Sequence, residues 1–148
     1  MKPDAQKGLM KVRRSRKTEF PTVFRMARKL WPDVKRSALD KPKFTYYIAE
    51  ENDRPVGFIM LAKRRDYVEG TTTTPVGYVE GIFVEKRFRR KNVGKKLIDA
   101  AVSWCLKKGY KELGSDVKFS NKISQKFHSK AGFTRSERLV HYVKKISA

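Results

Sequence analysis

The fold is decided by residues 71–97, TTTTPVGYVEGIFVEKRFRRKNVGKKL. After its proline this stretch is an apolar, β-branched run with one carboxylate and two glycines, and a dense group of cations and a helical pattern follow. A strand that enters a helix through a basic turn directs backbone N–H groups, the helix dipole and cationic side chains toward one point, which favours a phosphate. A solvated loop that caps the helix is the alternative interpretation.

The strand predicted at residues 76–84 carries the first candidate site. Because side chains alternate along a strand, the sequence predicts two faces. Tyr78, Glu80, Ile82 and Val84 fall on one face, and Val79, Gly81 and Phe83 on the other. A glycine beside a glutamate in an apolar strand is typical of a β-bulge that opens a strand pair for a ligand. We therefore predict a bulge at Glu80 and Gly81.

The turn and the helix after this strand have the parts of a phosphate-binding element. The turn consists of Arg89, Arg90, Lys91, Asn92, Val93, Gly94 and Lys95. A helix is predicted over residues 95–108, with Gly109 as its left-handed terminator. Its core stripe consists of Leu97, Ile98, Ala101, Val102 and Cys105. The place of Cys105 on this stripe predicts a buried thiol and not a nucleophile.

The remaining elements predict an α/β sandwich on a mixed sheet, in one domain that spans residues 1–148. The first nine residues are expected to be a loose leader, with the folded part beginning at Met10. The predicted elements are a helix from Thr18 to Trp31-Pro32, a hairpin of residues 44–50 and 56–62, a strand near residues 112–117, a helix over residues 121–130 closed by Gly132, and a last strand through Leu139, His141 and Val143.

Composition limits the class of protein and its partners. The chain has 36 Lys and Arg against 15 Asp and Glu, a net charge of +21. Nucleic acid, an acidic membrane surface and a phosphate-rich cofactor are candidate partners for such an excess, and solvated surface charge is the alternative. No apolar run approaches the roughly 20 residues that span a bilayer, and no secretory signal is present, so we expect a cytoplasmic protein. No cluster of Cys, His and carboxylates has metal-ligand spacing, so we predict no metal.

The turn resembles the Arg-x-x-Gly-x-Gly loop of the N-acetyltransferases of the GNAT superfamily, which grips the pyrophosphate of acetyl-coenzyme A. This chain reads Arg89-Arg90-Lys91-Asn92-Val93-Gly94, so asparagine replaces the first glycine. Asparagine tolerates the positive φ that a glycine would supply there. A second element, Asn121 followed by Phe127-His128-Ser129-Lys130-Ala131-Gly132-Phe133, is similar to the last helix of the family.

Six further segments are similar to the aminoglycoside 6'-N-acetyltransferases. They are residues 30–33, 65–71, 75–82, 114–116, 127–128 and 136–138. The resemblance implies a GNAT-like mixed, mostly antiparallel central sheet flanked by helices, with a splayed strand pair at the coenzyme site. It also implies acetyl-CoA as co-substrate, a cationic small-molecule amine such as an aminoglycoside as acceptor, and a homodimer.

The resemblance implies roles for named residues. Coenzyme contacts are expected from Ile82, Phe83, Val84, the turn from Arg89 to Lys95, Asn121 and His128. The acceptor is expected to meet Trp31, Tyr67, Glu80, Asp116 and Glu137. Glu80 would accept the amine proton and Asp116 would be a second carboxylate in the cleft. The alternatives are an ion pair for Glu80, a cap for Asp116 or Asn121, core packing for Trp31, and a structural role for His128.

The net charge argues against an aminoglycoside acceptor unless local acids oppose it, because a protein of charge +21 repels a polycation. Asp66, Glu69, Glu80, Asp116 and Glu137 would have to converge. If they scatter, a small metabolite amine or a protein becomes the better acceptor. A nucleic-acid-binding module is the alternative from another class. The basic residues are spread from Lys2 to Lys145 and match no zinc-finger, basic-zipper or RNA-recognition pattern, which disfavours that alternative.

Overall fold

The computed structural model describes residues 9–118, 120–136 and 141–146, and shows one five-stranded sheet. Its strands are β1 (Met10–Arg14), β2 (Thr45–Glu51), β3 (Arg54–Arg64), β4 (Val76–Val84) and β5 (Leu113–Gly114). The strands lie in the order β1-β2-β3-β4-β5. The pairs β1–β2, β2–β3 and β3–β4 are antiparallel, and the pair β4–β5 is parallel. The predicted mixed, mostly antiparallel sheet is confirmed.

Four α-helices accompany the sheet in the described residues. They are α1 (Phe20–Leu30), α2 (Arg36–Leu39), α3 (Val93–Lys108) and α4 (Lys122–Lys130), and 3-10 helices lie at Lys17–Glu19 and Lys86–Phe88. Helix α1 has its proline in the first turn and ends at Leu30 with Trp31 as its C-cap, so the terminator predicted at Trp31-Pro32 is confirmed. Helix α3 ends at Gly109, whose φ of 81° is left-handed as predicted. None of these helices is long and apolar enough to cross a membrane.

The hairpin of β2 and β3 is longer than predicted. Its connection was expected to span residues 51–55, but only Asn52 and Asp53 lie between the two strands. Both residues have positive φ, 52° and 66°. Asn and Asp tolerate this left-handed conformation, and two such residues in succession match the twist of a tight hairpin.

The helices cover both faces of the sheet. Helix α3 packs on one face, where Ile59 and Leu61 of β3 are fully buried. Helix α1 packs on the other, against Phe58 and Met60 of the same strand. This alternation along β3 is the pattern of a strand buried on both sides.

The core stripe of α3 differs from the prediction at one position. Val102 was expected in the core but is 43% exposed, and Trp104 is buried in its place. The prediction for Cys105 is confirmed, because its side chain is buried and its thiol is free. A Cβ added to Gly77 would lie 2.5 Å from the Cys105 sulfur, so β4 and α3 pack closely there. Burial raises the pKa of this thiol to about 11.

A β-bulge interrupts β4 at the predicted place. Met60 of β3 pairs with Gly81 and Leu61 pairs with Val79, so Glu80 is an extra residue without a partner on β3. The prediction that Tyr78, Glu80, Ile82 and Val84 share one face is therefore wrong. Because one residue is inserted, alternation is reset, and Val79 shares the α3 face with Ile82 and Val84 while Phe83 packs on the α1 side.

Strand β5 is much shorter than the predicted strand over residues 112–117. It pairs with β4 only at Gly77 with Leu113 and at Tyr78 with Gly114. Beyond these two pairs β4 continues without β5 beside it. The parted strands that the resemblance implied are thus present.

Strand β1 and helix α2 were not predicted. Residues 137–140 of the predicted last strand, including Leu139, lie outside the described residues. Residues 141–146 have no regular secondary structure and are exposed, so the strand expected through His141 and Val143 is not formed there. An alternating pattern requires a neighbouring strand to become a sheet, and no described strand pairs with these residues.

An ion-pair network fixes β1 to the start of α1. Arg13 donates to the Glu19 carboxylate at 2.8 Å and to the buried Glu50 at 3.0 Å. The Arg16 backbone N–H also donates to Glu19, at 2.8 Å. The hydrogen bonds from Arg13 and then from Arg16 lower the pKa of Glu19 to about 2, from an ordinary 4.5.

We expect Glu19→Gln to lower the free energy of unfolding by about 1 kcal/mol at pH 7, because the ion pair with Arg13 is lost. Since the folded-state pKa lies below the unfolded value, this contribution is complete above pH 4.5 and disappears as the pH falls through about 2. Urea titrations at several pH values measure the difference. Glu51→Gln is the matched control, since Glu51 forms no ion pair with another described residue. A difference that stays constant down to pH 2 would contradict the assignment.

We expect Asn92→Ala to cost about 1 kcal/mol of stability, because Asn92 precedes α3 with a left-handed φ of 64°. Asn92→Gly should stay within about 0.5 kcal/mol of the wild type, because glycine has no Cβ to clash in this conformation. Thermal unfolding of the two variants gives the comparison. Equal losses would mean that the turn does not hold the positive φ.

Candidate functional site

The turn before α3 presents unused backbone donors. Arg90 and Asn92 both have left-handed φ, 65° and 64°. The first backbone bond at the start of the helix runs from the Lys96 N–H to the Asn92 carbonyl at 3.0 Å. The N–H groups from Asn92 to Lys95 donate to no described residue. Four free donors at the positive end of a 16-residue helix suit a phosphate or diphosphate.

The cations of the turn differ in their contacts. Arg89 bends back, and its Nε donates to the Val84 carbonyl at 2.9 Å. Arg90 and Lys91 are exposed, and the Lys91 ammonium lies 5.4 Å from the centre of the Phe88 ring. Lys95 pairs with Asp99 one turn along the helix, at 3.3 Å. Arg90 and Lys91 are therefore the side chains best placed to add charge beside the free amides.

Helix α4 packs against this turn. A Cβ added to Gly94 would lie 2.7 Å from the Phe127 ring. The absence of a side chain at Gly94 therefore lets the aromatic residue approach the first turn of α3. The two sequence elements on which the resemblance was based lie side by side in the structure.

The bulge determines which backbone groups face the gap between β4 and β5. The Gly77 N–H donates to Glu112 on the β5 side at 3.1 Å, and the Glu85 N–H donates to Val56 on the β3 side at 2.8 Å. Backbone N–H groups alternate in direction along a strand, and the extra residue Glu80 shifts this alternation once between Gly77 and Glu85. The N–H groups of Ile82 and Val84 therefore face the gap. Phe83 differs from its neighbours, because its amide faces β3 and its ring is buried in the core beneath α1.

Two predicted carboxylates belong to one network on the opposite face of β4. Arg64 holds Glu80 with a planar fork, from Nε to Oε2 at 3.1 Å and from Nη2 to Oε1 and Oε2 at 3.0 Å. The guanidinium carbon lies 3.7 Å above the centre of the Tyr78 ring. The Tyr78 hydroxyl donates to Asp116 Oδ2 at 2.5 Å. The structure therefore brings Glu80 and Asp116 together through an arginine and a phenol.

Burial, and then the hydrogen bond to Asp116, raise the pKa of Tyr78 well above its ordinary value. Tyr78 is thus a neutral donor over the whole physiological range. The ion pair that was the alternative for Glu80 is present, with Arg64. Asp116 accepts from a phenol, and among the described residues it makes no hydrogen bond that caps a helix or a turn.

Trp31 lies at the same bulge, whereas Asp66 and Glu69 lie outside the Glu80–Asp116 network. A Cβ added to Gly81 would lie 2.3 Å from the Trp31 ring, so the indole packs directly on the glycine. Tyr67 is 76% exposed. Asp66 and Glu69 are exposed and bond to no member of the Glu80–Asp116 network, and Glu137 lies outside the described residues.

Asn121 and His128 have structural contacts in α4. The Asn121 side chain caps the helix by accepting from the Ser124 N–H at 3.0 Å, which was the alternative considered for it. His128 Nδ1 lies 2.8 Å from the Ser124 carbonyl, and Nε2 lies 2.8 Å from the Ser115 hydroxyl. A carbonyl only accepts, so Nδ1 carries a proton and donates it to Ser124, and Nε2 shares a hydrogen bond with the Ser115 hydroxyl. His128 therefore joins α4 to the residue after β5.

Arg64, Tyr78 and Ser115 were missed as site residues from the sequence. Arg64 is the last residue of β3, and its contact with Glu80 depends on how β3 and β4 align. Tyr78 and Ser115 fall within segments 75–82 and 114–116 of the resemblance, which was the available signal for both. In the described ranges no three His, Cys, Asp or Glu side chains are grouped to hold a metal ion.

Comparison with known proteins identifies the family. The model of the acetyltransferase (GNAT) family matches residues 9–133. An aminoglycoside N(6')-acetyltransferase type 1 of Salmonella enteritidis is 35% identical over 144 residues, covering 92% of this chain and 99% of that protein. A protein of the same name from Serratia marcescens is 37% identical over 110 residues, covering 74% of this chain and 75% of that protein.

Solved structures agree with the sequence matches. AAC(6')-Iy in complex with the bisubstrate analog CoA-S-monomethyl-acetylneamine has a TM-score of 0.85 at 34% identity, covering 93% of this chain and 99% of that chain. The aminoglycoside antibiotic 6'-N-acetyltransferase AAC(6')-Ih from Acinetobacter baumannii has a TM-score of 0.82 at 26% identity, covering 94% and 100%. The predicted fold and family are both confirmed. The chain belongs to the GNAT acetyltransferase family.

Proposed function

We propose that the protein transfers the acetyl group of acetyl-CoA to the 6'-amine of an aminoglycoside. The observation that carries this proposal is the bulge at Glu80. It lies where the gap beside β4 meets a pair of acceptor-side carboxylates. Similarity to aminoglycoside N(6')-acetyltransferases over nearly the whole chain supports the choice of acceptor.

The coenzyme would lie along the edge of β4. Its pyrophosphate would accept from the free amides between Asn92 and Lys95, with Arg90 and Lys91 beside them. The pantetheine amides would pair with the backbone of Ile82 and Val84, as an added strand pairs with a sheet edge. The co-substrate supplies an activated acetyl group, and the same strand edge offers an N–H to the carbonyl oxygen as negative charge develops there.

The acceptor would bind on the other side of the bulge. Glu80 and Asp116 supply negative charge for ammonium groups, and the Trp31 indole supplies a flat apolar wall. Glu80 would accept a proton from the attacking amine, directly or through a water. We propose Tyr67 and Glu137 as further acceptor contacts and His128 as a coenzyme contact, following the resemblance.

We expect thiol release from acetyl-CoA to saturate with aminoglycosides that carry a 6'-amine. Aminoglycosides with a 6'-hydroxyl are the matched control, because they bind the same carboxylates without offering the nucleophile. A thiol-detection assay against both groups, polyamines and peptides measures the preference. Faster turnover of a polyamine or a peptide would reject the aminoglycoside, and salt-sensitive DNA binding without thiol release would reject the enzyme.

We expect Glu80→Gln to lower kcat at least about 10-fold, because an amide cannot accept the amine proton. The Kd of acetyl-CoA should change less than about 2-fold, since Glu80 supplies none of the backbone donors proposed to hold the coenzyme. Glu85→Gln is the matched control; Glu85 directly follows the same strand and pairs with Lys29 at 2.9 Å. Steady-state kinetics and calorimetric titration give the two constants. Equal losses in both would show that Glu80 supports the fold and not the reaction.

The homodimer and the cytoplasmic location implied by the resemblance stay predictions. Light scattering on the purified protein decides the oligomeric state. A dimer would be expected to cover some of the exposed apolar side chains, such as Leu106 and Ile123.

A further inference from the structure

A cation lies inside the part of the site that is expected to receive a cation. Arg64 ends β3, and its partner across the ladder is Val76, four residues before Glu80. Its side chain therefore lies along β4, over the Tyr78 ring, before it reaches the bulge. An ordinary surface ion pair does not require a side chain that extends along a neighbouring strand and over an aromatic ring.

Arg64 contacts both halves of the carboxylate pair. It donates three hydrogen bonds to Glu80, and it stacks on the phenol that donates to Asp116. The Tyr78 ring is buried, so it gives the guanidinium a rigid surface. The position of the Arg64 side chain thus depends on Glu80, on Tyr78 and on the end of β3 together.

Glu80 needs such support because it is the extra residue of the bulge. Its backbone has no partner residue on β3, so the sheet does not fix the direction of its side chain. A bidentate guanidinium fixes both oxygens of a carboxylate in one plane. Lysine has one point of charge, and it cannot fork onto a carboxylate and stack on a ring together.

We propose that Arg64 is a positioning residue for the acceptor: it orients the Glu80 carboxylate and, through Tyr78, the Asp116 carboxylate. This inference rests on the proposed function. Two carboxylates and one guanidinium leave a formal charge of −1, so the cleft still attracts an ammonium group.

The hydrogen-bond count shows where the acceptor amine would bind. Arg64 donates twice to Oε2 of Glu80 and once to Oε1. A carboxylate oxygen accepts two hydrogen bonds, so Oε1 keeps one acceptor site. The amine therefore meets Oε1 while Arg64 stays in place, and the guanidinium need not leave before the substrate enters.

The test is Arg64→Gln, compared with Arg65→Gln. Arg65 is the exposed neighbour, and its side chain bonds to no member of the network, so its substitution changes the net charge equally. For Arg64→Gln we expect kcat/KM for the aminoglycoside to fall at least about 10-fold, with the Kd of acetyl-CoA and the melting temperature near those of Arg65→Gln. Arg64→Lys should recover only part of the loss.

A double-mutant cycle with Glu80→Gln separates positioning from a general effect. If Arg64 acts through Glu80, the second substitution should add little to the first. Additive losses, full activity of Arg64→Lys, or an Arg64→Gln variant equal to Arg65→Gln would overturn the proposal. Tighter acceptor binding by Arg64→Gln would also overturn it, because it would make Arg64 a competitor of the substrate.

A crystal structure of Arg64→Gln distinguishes failure of this inference from failure of the proposed function. If the wild type acetylates no amine, the proposed function fails. Displaced Glu80 and Asp116 carboxylates in the variant would still support positioning by Arg64, and unchanged carboxylates would reject it.

Discussion

A single extra residue in β4 determines the geometry of the whole site. Without the bulge at Glu80, strict alternation would place this carboxylate on the same face as Ile82 and Val84. The inserted residue leaves Glu80 on the face of Tyr78 and also directs the amides of Ile82 and Val84 away from β3. Under the proposed function, one strand would serve two substrates: its edge would bind the coenzyme, and the face that carries Glu80 would bind the acceptor.

The charge distribution reconciles a strongly basic protein with a cationic acceptor. At physiological ionic strength the field of +21 is screened beyond about 8 Å, so contacts at the bulge dominate binding once the acceptor has entered. Glu80 and Asp116 carry the local negative charge, while Asp66 and Glu69 do not join them. The basic turn before α3, in contrast, matches the sign of a diphosphate, so the global charge favours the coenzyme more than the acceptor.

Local patterns predicted the elements that depend on local chemistry. The strand at residues 76–84, the helix that follows and the terminator Gly109 were predicted because each depends on spacing or on one residue's tolerance of positive φ. Asn92 belongs with them, since its left-handed φ is the one that the missing glycine would have supplied.

Features that depend on register between distant strands were not predictable. How β3, β4 and β5 align determines three such features: Val79 lies on the α3 face, Glu80 pairs with Arg64, and β5 ends after two residues. Strand β1 was missed because five charge-rich residues become a strand only when β2 offers an edge. The last predicted strand shows the opposite error, because the alternating residues 141–146 pair with no strand in the described part of the chain.

The buried cysteine has a consequence for an enzyme that releases a thiol at each turnover. Disulfide exchange needs a thiolate that solvent and partner can reach, and Cys105 is both covered by the sheet and kept protonated. A disulfide form of the coenzyme would therefore meet no accessible cysteine thiolate on the described surface with which to exchange. The protein can accumulate its own thiol product without becoming covalently blocked by it.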